Sequence, residues 1–472
     1  MKKSILPAVS IMHPDHALLV KYSKPGPRYT SYPPAPHFAE DFGIGQWRQE
    51  IIESQDASRP ISLYVHIPFC DTLCFYCGCN MVATQKYEKA QEYLKYLKRE
   101  IDAVAALTSS SRRVVQLHWG GGTPTFLKAA EIRDLASHIR SRFNFDPQAE
   151  VSVEVDPRGL LREQVDALRE SGFNRASIGV QDLNEQVQKA VNRIQPLSLI
   201  QEVYGWFRQS NFQSINMDLM VGLPHQTLET YKATLKEITA MAPDRLAVFG
   251  YAHVPWMKKH QKLIVQSDLP NFETRMALQE TILETLEGKG YVHVGMDHFA
   301  KPEDEIVKAQ RSKTLWRNFQ GYTTHRNADI YGFGASSISQ TNDVYAQNEK
   351  RPTGYQQMIG EKELATVKGY RMTTDDKLRR DVIIELMCDL VVNKQGIGTR
   401  WKIEFDDYFA KSLELLKPLV ADGLVEADAN EIRVTTLGRL FLRNIAMCFD
   451  AYLNAEKPKT TGQETPRYSM TA

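Results

Sequence analysis

Charge of one sign is what this 472-residue chain has least of: 58 lysines and arginines stand against 57 aspartates and glutamates, a net charge of +1. So even a balance gives no field with which to attract nucleic acid or an acidic membrane surface, and any anionic ligand must be met by cations gathered locally. Long hydrophobic runs are also missing, since nothing approaches the roughly 20 apolar residues that cross a bilayer. Met1 to Met12 has the two lysines and apolar stretch of a secretory leader, but Pro7 interrupts it, His13 and Asp15 end it, and no small-residue cleavage site follows. A cytosolic protein is expected. Cysteine is too sparse for a disulfide scaffold, at six in the whole chain; such scaffolds are small, secreted and cysteine-dense. Cys388 and Cys448 stand alone in apolar helical patterns and are expected in cores. The other four lie between Cys70 and Cys79 and call for metal or redox chemistry.

The remaining composition, 42% hydrophobic and 24% charged, is that of a globular protein. The length suits one large domain with a smaller one. Short β-branched runs alternate with amphipathic stretches. Strands are predicted at residues 61–67, 114–119, 150–155, 175–180, 214–221 and 245–251, and helices at 87–107, 130–143, 162–171, 199–210 and 228–240. Repeated strand–helix units predict a parallel sheet with crossover helices, and six in succession suit an α/β barrel, open or closed. The suggestive motifs follow the predicted strands: Pro68-Phe69-Cys70, Gly120 to Pro124, Asp156-Pro157-Arg158, Gln181-Asp182, Gly222-Leu223-Pro224 and Ala252-His253. Loops at the C-terminal ends of barrel strands converge, so one shared site is expected.

Four segments are expected: an arm over residues 1–45, the barrel over 46–365, a smaller, mainly helical unit over 366–456 and a polar, mobile tail over 457–472. The arm's Pro25 to Pro34 is too rich in proline for regular structure; its aromatics and Arg28 either cover a ligand or strap the arm to the barrel. The smaller unit reads as helices over 375–392 and 401–421 and a hairpin of 424–427 with 431–434, a winged-helix-like pattern. The neutral charge favours a structural or lid role for it over DNA binding.

Cys70, Cys74 and Cys77 have the spacing C-x3-C-x2-C. A mononuclear zinc site usually closes with four protein ligands, and no second pair follows; three cysteines on an Fe–S cluster leave one iron open to an outside ligand. This loop after a first barrel strand resembles the radical S-adenosylmethionine (SAM) enzymes. The resemblance implies that the open iron of a [4Fe-4S] cluster binds SAM and that Gly120-Gly121-Gly122-Thr123-Pro124 contacts its amino-acid moiety. Glu154 would receive a SAM amine or ribose hydroxyl; the plainer alternative is a pairing with Arg158 or another cation.

The arm motif Pro27-Arg28-Tyr29-Thr30-Ser31-Tyr32-Pro33, Cys77-Gly78-Cys79, His118 to Thr125, Glu154 to Arg158, Gly295 to Ala300 and Arg317 to Thr324 together resemble the oxygen-independent coproporphyrinogen III oxidase (dehydrogenase) family. That resemblance runs from the arm to Cys448-Phe449-Asp450. It implies that Cys70, Cys74 and Cys77 ligate the cluster while Cys79 does not. It implies contacts from Tyr64, Gly121, Glu154 and Ile338 to the cluster-bound SAM. A second SAM would meet Tyr76, Gly122, Thr123, Gln181, Arg193, Asp218 and Ala252. The plainer alternatives are a structural ion pair for Arg193 and Asp218 and a core position for Ile338. Glu154, Phe319 and Gln320 are the candidate catalytic residues, the last two on the substrate side. The implied reaction turns two propionates of coproporphyrinogen III into vinyl groups, with an electron donor and an acceptor as further partners, in a monomer. Arg28 and Arg317 are the candidate cations for the four substrate carboxylates. The competing readings are a related haem chaperone, a haem-modifying radical SAM protein and a zinc-binding interaction module.

Overall fold

In the computed structural model, which describes residues 16–454 and 468–471, alternation along the first strand sets the architecture. β1 (Ile61–Ile67) turns Ile61, Leu63, Val65 and Ile67 into the main apolar core, where they meet Leu97, Ile101, Ile132 and Leu135 of the covering helices. Ser62, Tyr64 and His66, one residue out of phase, face the other side of the sheet, as the period of two requires. β2 (Arg113–Gly121), β3 (Asn144–Val155), β4 (Arg175–Gln181), β5 (Ser214–Val221) and β6 (Arg245–Gly250) follow, each parallel to the one before. Helices fill the crossovers, among them Glu88–Leu107, Ala129–Arg142 and Leu228–Met241. This is the predicted α/β arrangement, a parallel sheet curved into a partial barrel.

The sheet continues past both of its predicted ends. A further parallel strand, Asp329–Phe333, pairs with the free side of β1, and Ile338–Gln340, Val344–Asn348 and Thr366–Arg371 extend it antiparallel. At the other end β6 pairs with His298–Ala300, which pairs with Val292–Gly295, giving twelve strands in all. These additions are short, and Asp329–Phe333 opens on an aspartate and carries Gly332 in its middle, so it lacks the apolar run by which the other parallel strands announce themselves. Thr366–Arg371 was expected to open the smaller unit. Its ladder with Val344–Asn348 makes it part of the large sheet instead.

The predicted hairpin forms as Val425–Ala427 with Glu431–Val434. Val391–Asn393, expected at the end of a helix, joins it as a third strand. A second core lies here, with Cys388 and Cys448 buried in it as expected, and it takes in Tyr22, Tyr29 and Tyr32 of the arm. Tyr29 Oη donates to Asp450 Oδ2 at 2.8 Å, and Tyr32 Oη accepts from Ala451 N at 3.0 Å. The arm's tyrosines thus strap it to the smaller unit, while Phe38 stacks on Tyr345 of the large sheet and Phe42 enters the main core, so the arm is fastened to the barrel wall as well. Residues 468–471 are not the loose end expected of the tail: Thr471 N donates to Lys24 O at 2.8 Å and Gly26 N to Ser469 O at 3.0 Å. The leader-like start and residues 457–467 lie outside the described residues. Among those described, no helix is long and apolar enough to cross a membrane.

Asp329 holds the barrel's N-terminal end together. It accepts from Arg59 and, at 2.6 Å, from Arg112, whose guanidinium also reaches Tyr331 Oη and Ser54 O. The side chains of Arg112 and Asp329 are almost wholly buried. Removing one charge from such a pair leaves the other uncompensated, at about 3–5 kcal/mol. Asp329→Asn is therefore expected to lower unfolding stability by that order, read as a shift in urea midpoint.

Candidate active site

The three cysteines stand on a loop pinned at several points. Phe69–Cys70 pairs with Val82–Ala83, Phe75 N donates to Val191 O at 2.9 Å, and Asn192 Nδ2 holds Leu73 O at 2.8 Å. The glycine loop after β2 lies against it: Gly122 N donates to Ile67 O at 2.8 Å and Thr123 N to Phe69 O at 2.9 Å. Side chains are excluded at this contact. A Cβ on Gly122 would lie 2.9 Å from Phe69 O and 3.0 Å from Cys70 Sγ, and one on Gly121, at φ +121°, 2.8 Å from Ile67 O.

Cys70 Sγ lies 3.2 Å from Thr123 Oγ1. Arg158 donates to Cys74 Sγ at 3.2 Å and Arg193 at 3.6 Å. Asp156 fixes both guanidiniums, at 2.7 and 2.9 Å; burial alone would raise its carboxyl, but the two arginines outweigh that and hold it below the usual carboxylate range. Burial pushes the Cys70 thiol up to about 12, whereas a hydrogen bond with Cys79 brings Cys77 down to about 6. Among the described residues no three His, Cys, Asp or Glu side chains converge on a single ion. A mononuclear zinc site usually closes with four protein ligands; three cysteines suit a polynuclear cluster with one open iron, and two guanidiniums at one sulfur suit its negative charge. The donor set fits an iron–sulfur cluster better than zinc.

Across the inner face of the sheet runs a band of polar side chains. Tyr64 stacks on His118 at 5.9 Å, and His118 Nδ1 is 2.6 Å from Ser152 Oγ. His66 Nε2 must donate to Asn80 O, 2.9 Å away, so its Nδ1 accepts from Tyr64 Oη at 3.0 Å. Glu154 accepts from Gly121 N at 3.1 Å and lies 3.4 Å from His118 Nε2. Burial pushes its carboxyl up, but the hydrogen bonds and the imidazole prevail and hold it below the usual range. Its side chain still keeps 45% of its surface accessible. The alternative pairing with Arg158 does not form, because Arg158 is bound to Asp156. Arg193 likewise pairs with Asp156 rather than with Asp218. Asp218 accepts from Ser177 at 2.9 Å and Asn216 at 2.7 Å, and burial raises its carboxyl to about 6.

Tyr64, the cysteines, Gly121 to Thr123, Glu154, Gln181, Arg193 and Asp218 thus gather at the C-terminal ends of β1 to β5. Gln181 has a positive φ of 68°, and its amide reaches the space above Gly179. Ile338 closes in beside Tyr64: Tyr64 is in register with Gly332, and a Cβ there would meet Ile338 O at 2.8 Å. Tyr76 and Ala252 are linked through Gln261, whose Nε2 reaches both carbonyls. Phe319 packs in an apolar cluster with Phe38, Tyr345 and Ile338. Gln320 is half-buried, and neither of its amide atoms, both out of contact with solvent, finds a hydrogen-bond partner among the described residues. Arg317, only 4% exposed, stacks over Tyr322 at 4.8 Å, with Nε and Nη1 equally without partners. Arg28, in contrast, is bound to Asp297.

Ala252 and Arg28 also border a cavity of about 1150 Å³, between the ends of β5 and β6, the arm and the smaller unit. Arg275, Arg439 and Arg443 line it too, and sequence reasoning missed all three. His66 and His118 were missed as well, although alternation with Tyr64 and Gln116 put them on the inner face. Arg275, Arg439 and Arg443 carry no comparable signal, since they come from separate helical segments.

A parallel partial barrel with a three-cysteine loop docked on a glycine loop defines a radical SAM protein, and residues 64–238 match the Radical SAM superfamily. Residues 372–441 match the HemN C-terminal domain. The oxygen-independent coproporphyrinogen III oxidase of Escherichia coli K12 is 47% identical over 439 residues, covering 93% of this chain and 95% of the relative. That of Synechocystis is 44% identical over 92% and 94% of the two chains. The solved structure of coproporphyrinogen III oxidase (HemN) from E. coli, described as a radical SAM enzyme, superposes with a TM-score of 0.89 over 92% of this chain and 98% of that one, at 46% identity. The chain belongs to the oxygen-independent coproporphyrinogen III oxidase family.

The close approach at Gly122 has a direct consequence for the metal. Gly122→Ala is expected to displace Cys70 and reduce iron bound after anaerobic reconstitution to a minor fraction of wild type, with circular dichroism unchanged.

Proposed function

We propose that this chain carries out the oxygen-independent oxidative decarboxylation of coproporphyrinogen III to protoporphyrinogen IX, turning two propionates into vinyl groups. The observation that carries the reading is the likeness to oxidases of that name over more than nine-tenths of both chains, through the cysteine loop and the C-terminal domain alike. It favours this activity over a haem chaperone or a haem-modifying relative. Cys70, Cys74 and Cys77 would hold a [4Fe-4S] cluster, which would supply the single electron that reductive cleavage of SAM requires. Each propionate then gives up one hydrogen atom, CO2 and one electron, the last to an acceptor.

The protein's own groups suit these tasks. Arg158 and Arg193 balance charge at Cys74. Glu154, kept ionised at neutral pH, receives the ammonium or ribose hydroxyl of the cluster-bound SAM, with Tyr64, Gly121 and Ile338 around it. Tyr76, Gly122, Thr123, Gln181, Arg193, Asp218 and Ala252 form the place for a second SAM, whose positive charge Asp218 meets. Phe319 gives the substrate side an apolar wall. Gln320 and Arg317 offer it polar atoms that no described residue engages, and a guanidinium with donors to spare is what a carboxylate binds in two-pronged fashion. Between the two candidate arginines, Arg317 is the stronger, because Arg28 already holds Asp297. The arginine-lined cavity of about 1150 Å³ exceeds the roughly 300–1,000 Å³ of ordinary small-molecule sites, in keeping with a tetrapyrrole. This reading includes action in the cytosol as a monomer.

Anaerobic reconstitution with iron and sulfide, then assay with SAM, a reductant and coproporphyrinogen III, tests the activity. Protoporphyrinogen should form with two SAM consumed per substrate, and Cys74→Ala should abolish both. Tight haem binding without SAM consumption would favour the chaperone. A charge-assisted hydrogen bond contributes about 1.5–3 kcal/mol. Arg317→Leu should therefore raise KM for coproporphyrinogen III roughly 10- to 100-fold, with Arg317→Lys intermediate and KM for SAM unchanged.

A further inference from the structure

Residues 254–267 lie outside the cysteine loop and are fastened to it by side chains. Lys258 Nζ donates to Cys79 O at 2.9 Å, His260 Nε2 to Cys77 O at 2.7 Å, and Gln261 Nε2 to Tyr76 O at 3.0 Å. With these three turned inward around the short 3₁₀ turn Lys259–Leu263, their neighbours face solvent. Trp256, Met257, Leu263 and Val265 are all more than half exposed. Among the described residues, thirteen large apolar side chains are strongly exposed, and four of them fall in this ten-residue stretch. Scattered apolar residues need no explanation, but a contiguous patch marks an interaction surface. On the other flank of the cysteine loop stands Ile194, 57% exposed, beside the Asn192 and Arg193 side chains that bind Leu73 O and Cys74.

The charge of the patch has one sign. Lys259 and Lys262 are exposed, and no acidic residue occurs from Val254 to Ser267. Asp268, the next, lies 3.5 Å from His225. In a chain whose net charge is +1, this is a local feature, joined by hydrogen bonds to the carbonyls of the segment that carries the metal ligands.

We propose that this face is the docking surface for an acidic one-electron carrier protein. The inference rests on the radical SAM reading, in which each SAM cleavage draws one electron that must enter from outside. In the step assigned to this surface the carrier is oxidised by one electron and the [4Fe-4S] cluster reduced by one, from the 2+ to the 1+ level; no bond or proton moves. Trp256 and Met257 supply the apolar anchor and the lysines steer encounter. A small patch of this kind suits the short-lived complexes of electron transfer, which bury less than about 1,200 Å².

The test uses the reconstituted holoenzyme without substrate, mixed anaerobically in a stopped-flow instrument with two acidic probes in turn, a flavodoxin hydroquinone and a reduced [2Fe-2S] ferredoxin. The bleaching of the cluster's visible absorbance reports its reduction. At least one carrier should reduce the wild-type cluster, at a rate that falls with ionic strength. The double variant Lys259→Glu/Lys262→Glu should slow that step by about 10-fold or more, and Trp256→Ala should slow it without altering the salt dependence. Dithionite should reduce wild type and variants at equal rates. Failure of both carriers on a cluster that dithionite reduces, or an unchanged rate in the charge-reversed variant, would overturn the proposal. Absence of any cluster in the reconstituted wild type would instead sink the functional reading beneath it.

Discussion

Two backbone hydrogen bonds, from Gly122 N to Ile67 O and from Thr123 N to Phe69 O, decide where the first cysteine sits. They join the end of β1 to the loop after β2, and they form only because those strands are in register from Ser62 with Gln116 to Ile67 with Gly121. No Cβ fits at Gly121 or Gly122, so the contact is made by peptide planes, whose positions are set by the sheet rather than by rotamers. The Cys70 thiol, the Thr123 hydroxyl and the Gly121 N–H that reaches Glu154 are all placed through this seam. The three-cysteine loop and the glycine loop therefore lie side by side, with Cys70 Sγ 3.2 Å from Thr123 Oγ1.

The inner face of the sheet is polar, unlike a barrel filled with branched side chains. Ser62 reaches Gln116 at 2.8 Å, Gln116 reaches Glu150 at 3.0 Å, and Glu150 lies 3.3 Å from Arg175. Above that layer come Tyr64, His118 and Ser152, and above these Glu154 and Asp218. Each layer satisfies its groups sideways, across strands, so the burial of charge is offset without a partner from above. At the top stand the carboxylates of Glu154 and Asp218 and the cysteine thiols, a set matched to cationic and metallic ligands. The apolar core needed for stability lies on the other face, under the helices.

How much of this was legible depended on whether the signal was local. The span 61–67 was predicted residue for residue, because alternation within seven residues and the flanking Pro60 and Pro68 leave little freedom. The cysteine spacing named its chemistry for the same reason. Asp329–Phe333 was missed: its strand character comes from pairing with β1, some 270 residues earlier, and from burial on both faces. The roles of Arg158 and Arg193 were also hidden. Sequence offered Glu154 or Asp218 as their partners, whereas the twist of β3 into its loop brings Asp156 between them and Cys74 in front. The end of the chain was misread because a polar, glycine-containing tail shows nothing of Arg443, which binds carbonyls of both Pro27 and Met470 and so ties the described C-terminal residues to the arm.

The near-zero net charge poses a question that the fold answers by allocation. A tetracarboxylate must find cations locally, yet most arginines near the cavity are already engaged: Arg28 with Asp297, Arg443 with backbone carbonyls of the arm and the chain's end, and Arg439 with His293 O. Their charges shape the potential of the wall while their donors hold the cover in place. Arg317 and Arg275 differ, each with a buried donor that no described residue engages. Burying a donor without a partner costs on the order of 1–3 kcal/mol, so folding alone gives no reason to keep it. The two arginines also lie on different elements, Arg275 in the helix Phe272–Gly288 and Arg317 in the strand Trp316–Asn318. A ligand satisfying both would bridge the barrel's last crossover and the hairpin beneath the smaller unit. The buried donors left without a described partner are then not those that hold the cover in place.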